Sequence, residues 1–267
     1  MKPQRGFTLI ELSIVLVIIG LVAGGIIVGR SMLDNAEMRT ITTELTIYTT
    51  AYKEFVEKYQ AIPGDMNNAT SYWYADDSCP ATASNTTPKT PTCNGDGNGM
   101  IGDWTNTATA TANSEREWFR AWQQLANSEL IEGKFTGTSG SGSSTEALIG
   151  VNVPASKTTK GGWTLLYMVS DGVTDTTFYN SAVASHVLMY GAQTSGSFTD
   201  TAILTPTQMK SIDEKIDDGM PYTNKVRVKK TGSGSCTVDA TAASDYRLNV
   251  TATKDTPTCQ FLFLMGV

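Results

Sequence analysis

From Phe7 to Gly29 the chain reads FTLIELSIVLVIIGLVAGGIIVG, apolar but for Glu11, two hydroxyl residues and glycines. A helix of about 20 such residues reaches across a hydrocarbon core. Past Arg30 the pattern changes. Met38, Ile41, Leu45, Tyr48, Tyr52, Phe55 and Tyr59 recur at steps of three and four, which draws one apolar stripe along a helix. Glu37, Arg39, Glu44, Lys53, Glu54, Glu57 and Lys58 lie off the stripe. The run ends at Ala61-Ile62-Pro63-Gly64-Asp65, where Pro and Gly forbid simple continuation. The pattern therefore predicts one helix, roughly 80 Å long at about 1.5 Å per residue. Its first half is apolar all round, and its second half is built to pack on a sheet.

The rest of the chain predicts a body of mixed elements. Residues 76 to 114, rich in Asp, Asn, Thr, Ala and Gly, read as loop. Ser114 and Glu117 form a capping-box pattern, S-x-x-E, ahead of a helix. Its apolar face is Trp118, Phe119, Trp122, Leu125, Ala126, Leu130 and Ile131, and Gly133 marks its end. TGTSGSGSST at 136–145 reads as a flexible linker or an exposed loop. Strands are predicted at 162–170, 186–191, 224–230, 246–253 and 260–266. Between them, Thr205-Pro206-Thr207-Gln208 opens a short helix lined by Met209, Ile212 and Ile216 and closed by Gly219. Strands after a long helix give an α+β fold, with an antiparallel sheet on the striped helix face. The segments are then 1–6 ahead of the apolar run, 7–29 as an apolar helix, 30–62 as the amphipathic half of that helix, and 63–267 as the globular body.

Charge and cysteines narrow the setting. Net charge is −6, and without the two cations Lys2 and Arg5 the remainder carries −8. An acidic body argues against nucleic acid as the primary partner. The small basic run Lys225, Arg227, Lys229 and Lys230 reads as a solvated strand face. Lys2 and Arg5 ahead of the apolar run keep the N-terminus cytoplasmic and send the body outward. A secretory signal has a shorter apolar core and a small-residue cleavage site; here the run continues into more helix. Cys79, Cys93, Cys236 and Cys259 have no C-x-x-C spacing and no neighbouring His, which disfavours zinc. Three disulfide pairings are possible in an exported body, and the local ones, Cys79–Cys93 and Cys236–Cys259, are expected.

A plain anchor leaves Glu11 unexplained, because a carboxylate at a helix centre in hydrocarbon costs about 2.5 kcal/mol or more; near the helix end it could only snorkel to the interface. The stretch KPQRGFTLIELSIVLVIIGLVAGG closely resembles the N-terminal signature of type IV pilins and type II secretion pseudopilins. The resemblance implies cleavage after Gly6 by a prepilin peptidase and N-methylation of Phe7. It also implies assembly with other copies or related pilin or pseudopilin subunits, on an inner-membrane assembly platform. Glu11 is then the carboxylate that meets a neighbouring subunit's cationic N-terminus. Such a pair is favourable in an apolar bundle only when matched, so it sets axial stagger more than it adds stability. Many pilins carry a proline near the end of the apolar segment. Here Gly24, Gly25 and Gly29 stand there, and glycines can supply a soft point in its place. The resemblance places the chain in the bacterial inner membrane, with its body in the periplasm or, in a filament, at the cell surface.

One loop carries candidate chemistry. In CNGDGNGMIGDW, Asn94, Asp96 and Asn98 stand two apart, followed by Gly99 and Ile101. An EF-hand loop places oxygen ligands at those offsets and a glycine at its sharp turn. The Met100 carbonyl and Asp103, or Glu115 or Glu117 from the next helix, complete a calcium set; without a metal the same residues make an Asn/Gly/Asp turn cluster. Asp213, Glu214, Asp217 and Asp218 form a second acidic group, which reads as a solvated helix end. His186 lies in an apolar strand and reads as a core histidine. No G-x-S-x-G, Walker or H-E-x-x-H pattern occurs, so the chain reads as a peptidase substrate and not as an enzyme. The competing class is a membrane-anchored calcium-binding adhesion module that never polymerises.

Overall fold

The computed structural model describes residues 8–75, 79, 92–102, 114–158, 161–168, 184–228, 236, 237, 246 and 256–266. Helix α1 runs Leu9–Tyr59 without interruption through the glycines. Gln60 ends it in the left-handed region (φ 52°), its N–H returned to the Val56 carbonyl at 2.9 Å. The stripe meets its expectation: Ile41 and Phe55 are fully buried, and Met38, Leu45 and Tyr52 nearly so. The apolar half is bare. Leu9 is 89% exposed and Leu33 71% exposed, so the body covers none of it.

The body is α+β. Strands β1 (Gly161–Met168), β2 (Ser185–Ala192), β3 (Val226–Val228) and β4 (Phe261–Leu264) form an antiparallel sheet in the order β1-β2-β4-β3. Trp163, Tyr190 and Phe261 sit in register across it. Strand alternation puts all three on one face. An aromatic seam follows, with Tyr48 of α1 at 5.7 Å from Trp163, Trp163 at 4.8 Å from Tyr190, and Tyr190 at 5.6 Å from Phe261. Glu44 belongs to this interface and not to the solvated face that its charge predicts. It is buried, and it accepts from the Trp163 indole N–H (2.9 Å) and the Lys157 backbone N–H (2.6 Å).

Two short helices flank a third of ordinary length. Helix α2 (Thr70–Trp73) was not foreseen. Helix α3 (Ser114–Asn127) ends earlier than Gly133. Glu129 takes the left-handed position (φ 62°), Leu130 N–H reaches the Leu125 carbonyl and Glu129 N–H the Ala126 carbonyl. This is a Schellman stop with a non-glycine residue, and it leaves Ile131 buried outside the helix. Helix α4 (Pro206–Ile216) has the expected reciprocal cap between Thr205 and Gln208. Segment 136–145 is a loop of the body, tied down where Glu146 accepts from the Gly142 and Gly196 N–H groups.

Both local disulfides are present, Cys79–Cys93 and Cys236–Cys259. Of the expected strand 246–253 only Tyr246 is among the described residues, where it bridges Thr237. Arg227 corrects the solvated reading of the basic run, since it is half-buried with Nη1 enclosed; Lys229 and Lys230 lie outside the described residues.

Candidate functional site

Two places carry candidate function, the start of α1 and the loop at 92–102. At the helix start, Gly6 and Phe7 lie outside the described residues. Thr8 is the N-cap, and its side chain accepts from Glu11 N–H (3.3 Å). Glu11 Oε2 accepts in return from the Thr8 N–H (2.8 Å) and hydroxyl (2.7 Å). The T-x-x-E spacing at 8–11 is itself a capping-box signal, so this bond was readable from sequence. In the single chain Glu11 therefore satisfies its own helix end, one residue beyond the expected cleavage point.

The loop site is assembled from three parts of the chain. Gln60 has already ended α1, and past Pro63 the chain turns at Gly64, which takes φ +91°. A Cβ on Gly64 would sit 2.5 Å from the Glu117 carbonyl, so only glycine lets α3 approach. Gly95 lies as close to the Asp65 backbone, where a Cβ would meet it at 2.4 Å. Gln124 of α3 locks the three parts, accepting from Gly64 N–H (2.7 Å) and donating to the Cys93 carbonyl (3.2 Å). This brings Asp65, Asp96 and Glu117 together, with carboxylate oxygens within 4.8 Å of one another.

Loop backbone N–H groups hold these carboxylates in place. Asp65 accepts from Asn98 (3.0 Å) and Gly99 (2.8 Å), and Glu117 from Asp96 (3.0 Å) and Gly102 (2.9 Å). Both Glu117 carboxylate oxygens thus take loop N–H groups; the Ser114 side chain of the expected capping box lies outside the described residues. Burial pushes the Glu117 carboxyl up to about 8, with Asp96 and Asp65 adding to it and the Gly102 and Asp96 N–H groups opposing. Burial likewise pushes Asp65 up to about 6, opposed by its backbone donors. Two unit charges about 4.8 Å apart repel by about 3 to 4 kcal/mol at an effective dielectric of about 20. Three ionised carboxylates here need a cation or a proton.

Of the five loop residues expected as ligands, Asp96 joins this cluster. Asn94 instead accepts from the Thr70 N–H at 2.8 Å, capping the turn into α2. Asn98 donates to Asp96 Oδ2 (2.9 Å) and accepts from Met100 N–H (2.8 Å). Asp103 lies outside the described residues. Asp65 was missed, since it stands 31 residues before Asp96 and meets it only through the packing of Gly64 and Gly95. The donor set suits calcium. It is all hard oxygen, and ligands on opposite sides of an ion at about 2.4 Å stand up to about 4.8 Å apart.

Elsewhere His186 is buried between the rings of Tyr52 (5.6 Å) and Tyr167 (4.9 Å), as expected of a core residue. Its Nε2 has no hydrogen-bond partner, and burial lowers its pKa to about 4.

The fold and these sites define a class: an α+β body with, among the described residues, one N-terminal apolar helix long enough to cross a membrane. Residues 1–27 match the prokaryotic N-terminal methylation motif, the prepilin-type signature of type IV pilins and pseudopilins. No curated protein and no solved structure matches the chain.

Proposed function

We propose that this chain is a structural subunit of a type IV pilus or a type II secretion pseudopilus. The leader is cut after Gly6, Phe7 is methylated, and the subunits polymerise through α1. The carrying observation is the coincidence of the methylation motif at 1–27 with an apolar helix half that the chain's own body leaves bare. The exposed Leu, Ile and Val side chains from Leu9 to Val28 need a cover, first lipid and then the helices of other subunits. In that bundle Glu11 exchanges its Thr8 partners for a neighbour's cationic Phe7 amine. The loop cluster of Asp65, Asp96 and Glu117 holds structural calcium, which orders the loop beside α3.

The test is to shear cells that make the protein and read the N-terminus of the released material by mass spectrometry. Methyl-Phe7 in sheared filaments is expected of a pilus subunit. Methyl-Phe7 retained in the envelope is expected of a secretion pseudopilin. Glu11→Ala should insert and be cut normally yet lose filament yield at least tenfold. Unchanged yield from that variant, or an intact Gly6–Phe7 bond in the mature pool, overturns the reading in favour of a non-polymerising anchored module.

A further inference from the structure

We propose that the C-terminal end of α4 forms a second divalent-cation site, built on Asp213, Asp217 and Asp218, with calcium as the fitting ion. The inference is independent of the loop site and of filament assembly.

Asp213 and Asp217 stand one turn apart on α4 and share a face. Asp217 then leaves the helix (φ −142°, ψ −124°), and the chain turns so that Asp218 closes on the other two. One carboxylate oxygen from each lies within 4.8 Å of the others. Asp218 is exposed, Asp217 half-buried and Asp213 fully buried, so the site is a pocket open at one edge. Water reaching that edge completes the six to eight oxygens that calcium takes.

The observation that points to a ligand is the state of Asp213. Its Oδ2 accepts from the Tyr246 hydroxyl at 2.6 Å, while its Oδ1 is enclosed and makes no hydrogen bond of ordinary geometry, the Gly219 N–H lying near the carboxylate. A buried acceptor left unpaired is costly, and here the helix C-terminus adds its own negative end. The obvious protein cation does not relieve it. Arg227 on β3 lies in the field of all three aspartates, yet its Nη1 is also buried without a hydrogen-bond partner. Arg227 thus shares the field of the three aspartates without bonding the enclosed Asp213 oxygen, which is left for a small cation or its water.

The other two aspartates are held ready. Asp217 uses Oδ2 for the Lys225 N–H (2.5 Å) and Val226 N–H (3.1 Å), the start of β3. Asp218 takes the Met220 N–H (2.9 Å) and the Asn224 side-chain amide (2.7 Å). An ion bound here joins α4, the turn into β3 and Tyr246, a residue between the two cysteines of the second disulfide. Burial, with Asp218 and Asp217, pushes the Asp213 carboxyl up to about 7 while the Tyr246 hydroxyl and the Gly219 N–H oppose.

The experiment uses the full chain in detergent micelles with Asp96→Asn to weaken the loop site, and terbium as the probe, read by tyrosine-sensitised emission and calcium displacement. One bound terbium, displaced by calcium, is expected. Adding Asp213→Asn should abolish it while the protein still unfolds cooperatively in chelator, because the side-chain amide keeps an acceptor for the Tyr246 hydroxyl. Asp218→Asn, on the exposed edge where folding is not at stake, should weaken it at least tenfold. Unchanged terbium affinity and stoichiometry in the Asp218→Asn protein, or in a folded Asp213→Asn protein, overturns the proposal. Asp213→Asn alone should keep the loop-site signal, so failure of one site is distinguishable from failure of the other.

Discussion

Glu44 sits three residues after Ile41 and four before Tyr48, on the border of the α1 stripe, and it is only 3% exposed. Its carboxylate registers the helix on the sheet by taking the Trp163 indole N–H. Glu44→Ala strands that buried donor, at a cost of about 1 to 3 kcal/mol. The melting temperature should fall by roughly 3 to 10 °C. Glu44→Gln keeps an acceptor for Trp163 and should lose less than half as much. Equal losses would mean that charge, and not the hydrogen bond, holds the interface. The spacing on the stripe was the available signal for this burial, but charge alone sends a glutamate outward, and Trp163 stands 119 residues away. Thr8 and Glu11 are the opposite case. Their partnership is local, so T-x-x-E carries it in four letters.

The elements that could be read from sequence are those with local causes. The α1 stripe, the Thr205–Gln208 cap of α4 and both short-range disulfides each follow from residues near one another in the chain. The end of α3 did not, because Glu129 takes a left-handed position that glycine usually fills, and an apolar face continuing to Ile131 hides the stop. The loop at 92–102 was legible as an oxygen-rich turn, with Asp96 as its core and Glu117 as a candidate from the next helix, but Asp65 comes from the turn after α1 that packs on it. Chelator against calcium is the test of that element. Calcium at 1 mM should raise the melting temperature of the wild-type chain by several degrees, and Asp96→Asn should lose most of the loop site's share. Identical melting curves for both proteins in calcium would remove calcium from this loop.

At the scale of the whole molecule, Asp65, Glu117, Asp213 and His186 are the buried groups among the described residues whose shifted values bear on the response to pH. Asp65, Glu117 and Asp213 have folded values of about 6, 8 and 7, above the ordinary carboxyl range. They bind protons more tightly when folded, so their contribution is full at acid pH and is lost as pH rises through those values. His186, lowered to about 4 by burial, works the other way: its contribution is full above about 6.5 and is lost as pH falls toward 4. Above pH 7 only the carboxyls still titrate. In chelator the melting temperature should therefore fall between pH 7 and 8.5, and saturating calcium should flatten that slope. A flat profile in chelator would show that the carboxyls are already ionised in the fold.

The stripe of α1 has a mechanical meaning as well. Met38 to Tyr59 lies along the body for about 30 Å at about 1.5 Å per residue, while the bare half extends beyond it. A pull on the free end runs parallel to this interface. It loads the Tyr48–Trp163 contact, the Glu44 latch and the Phe55 packing together, in shear, instead of peeling them one after another. A rod anchored in this way gives up its cargo only when many contacts fail at once, so tension at the membrane end is delivered to the body almost undiminished.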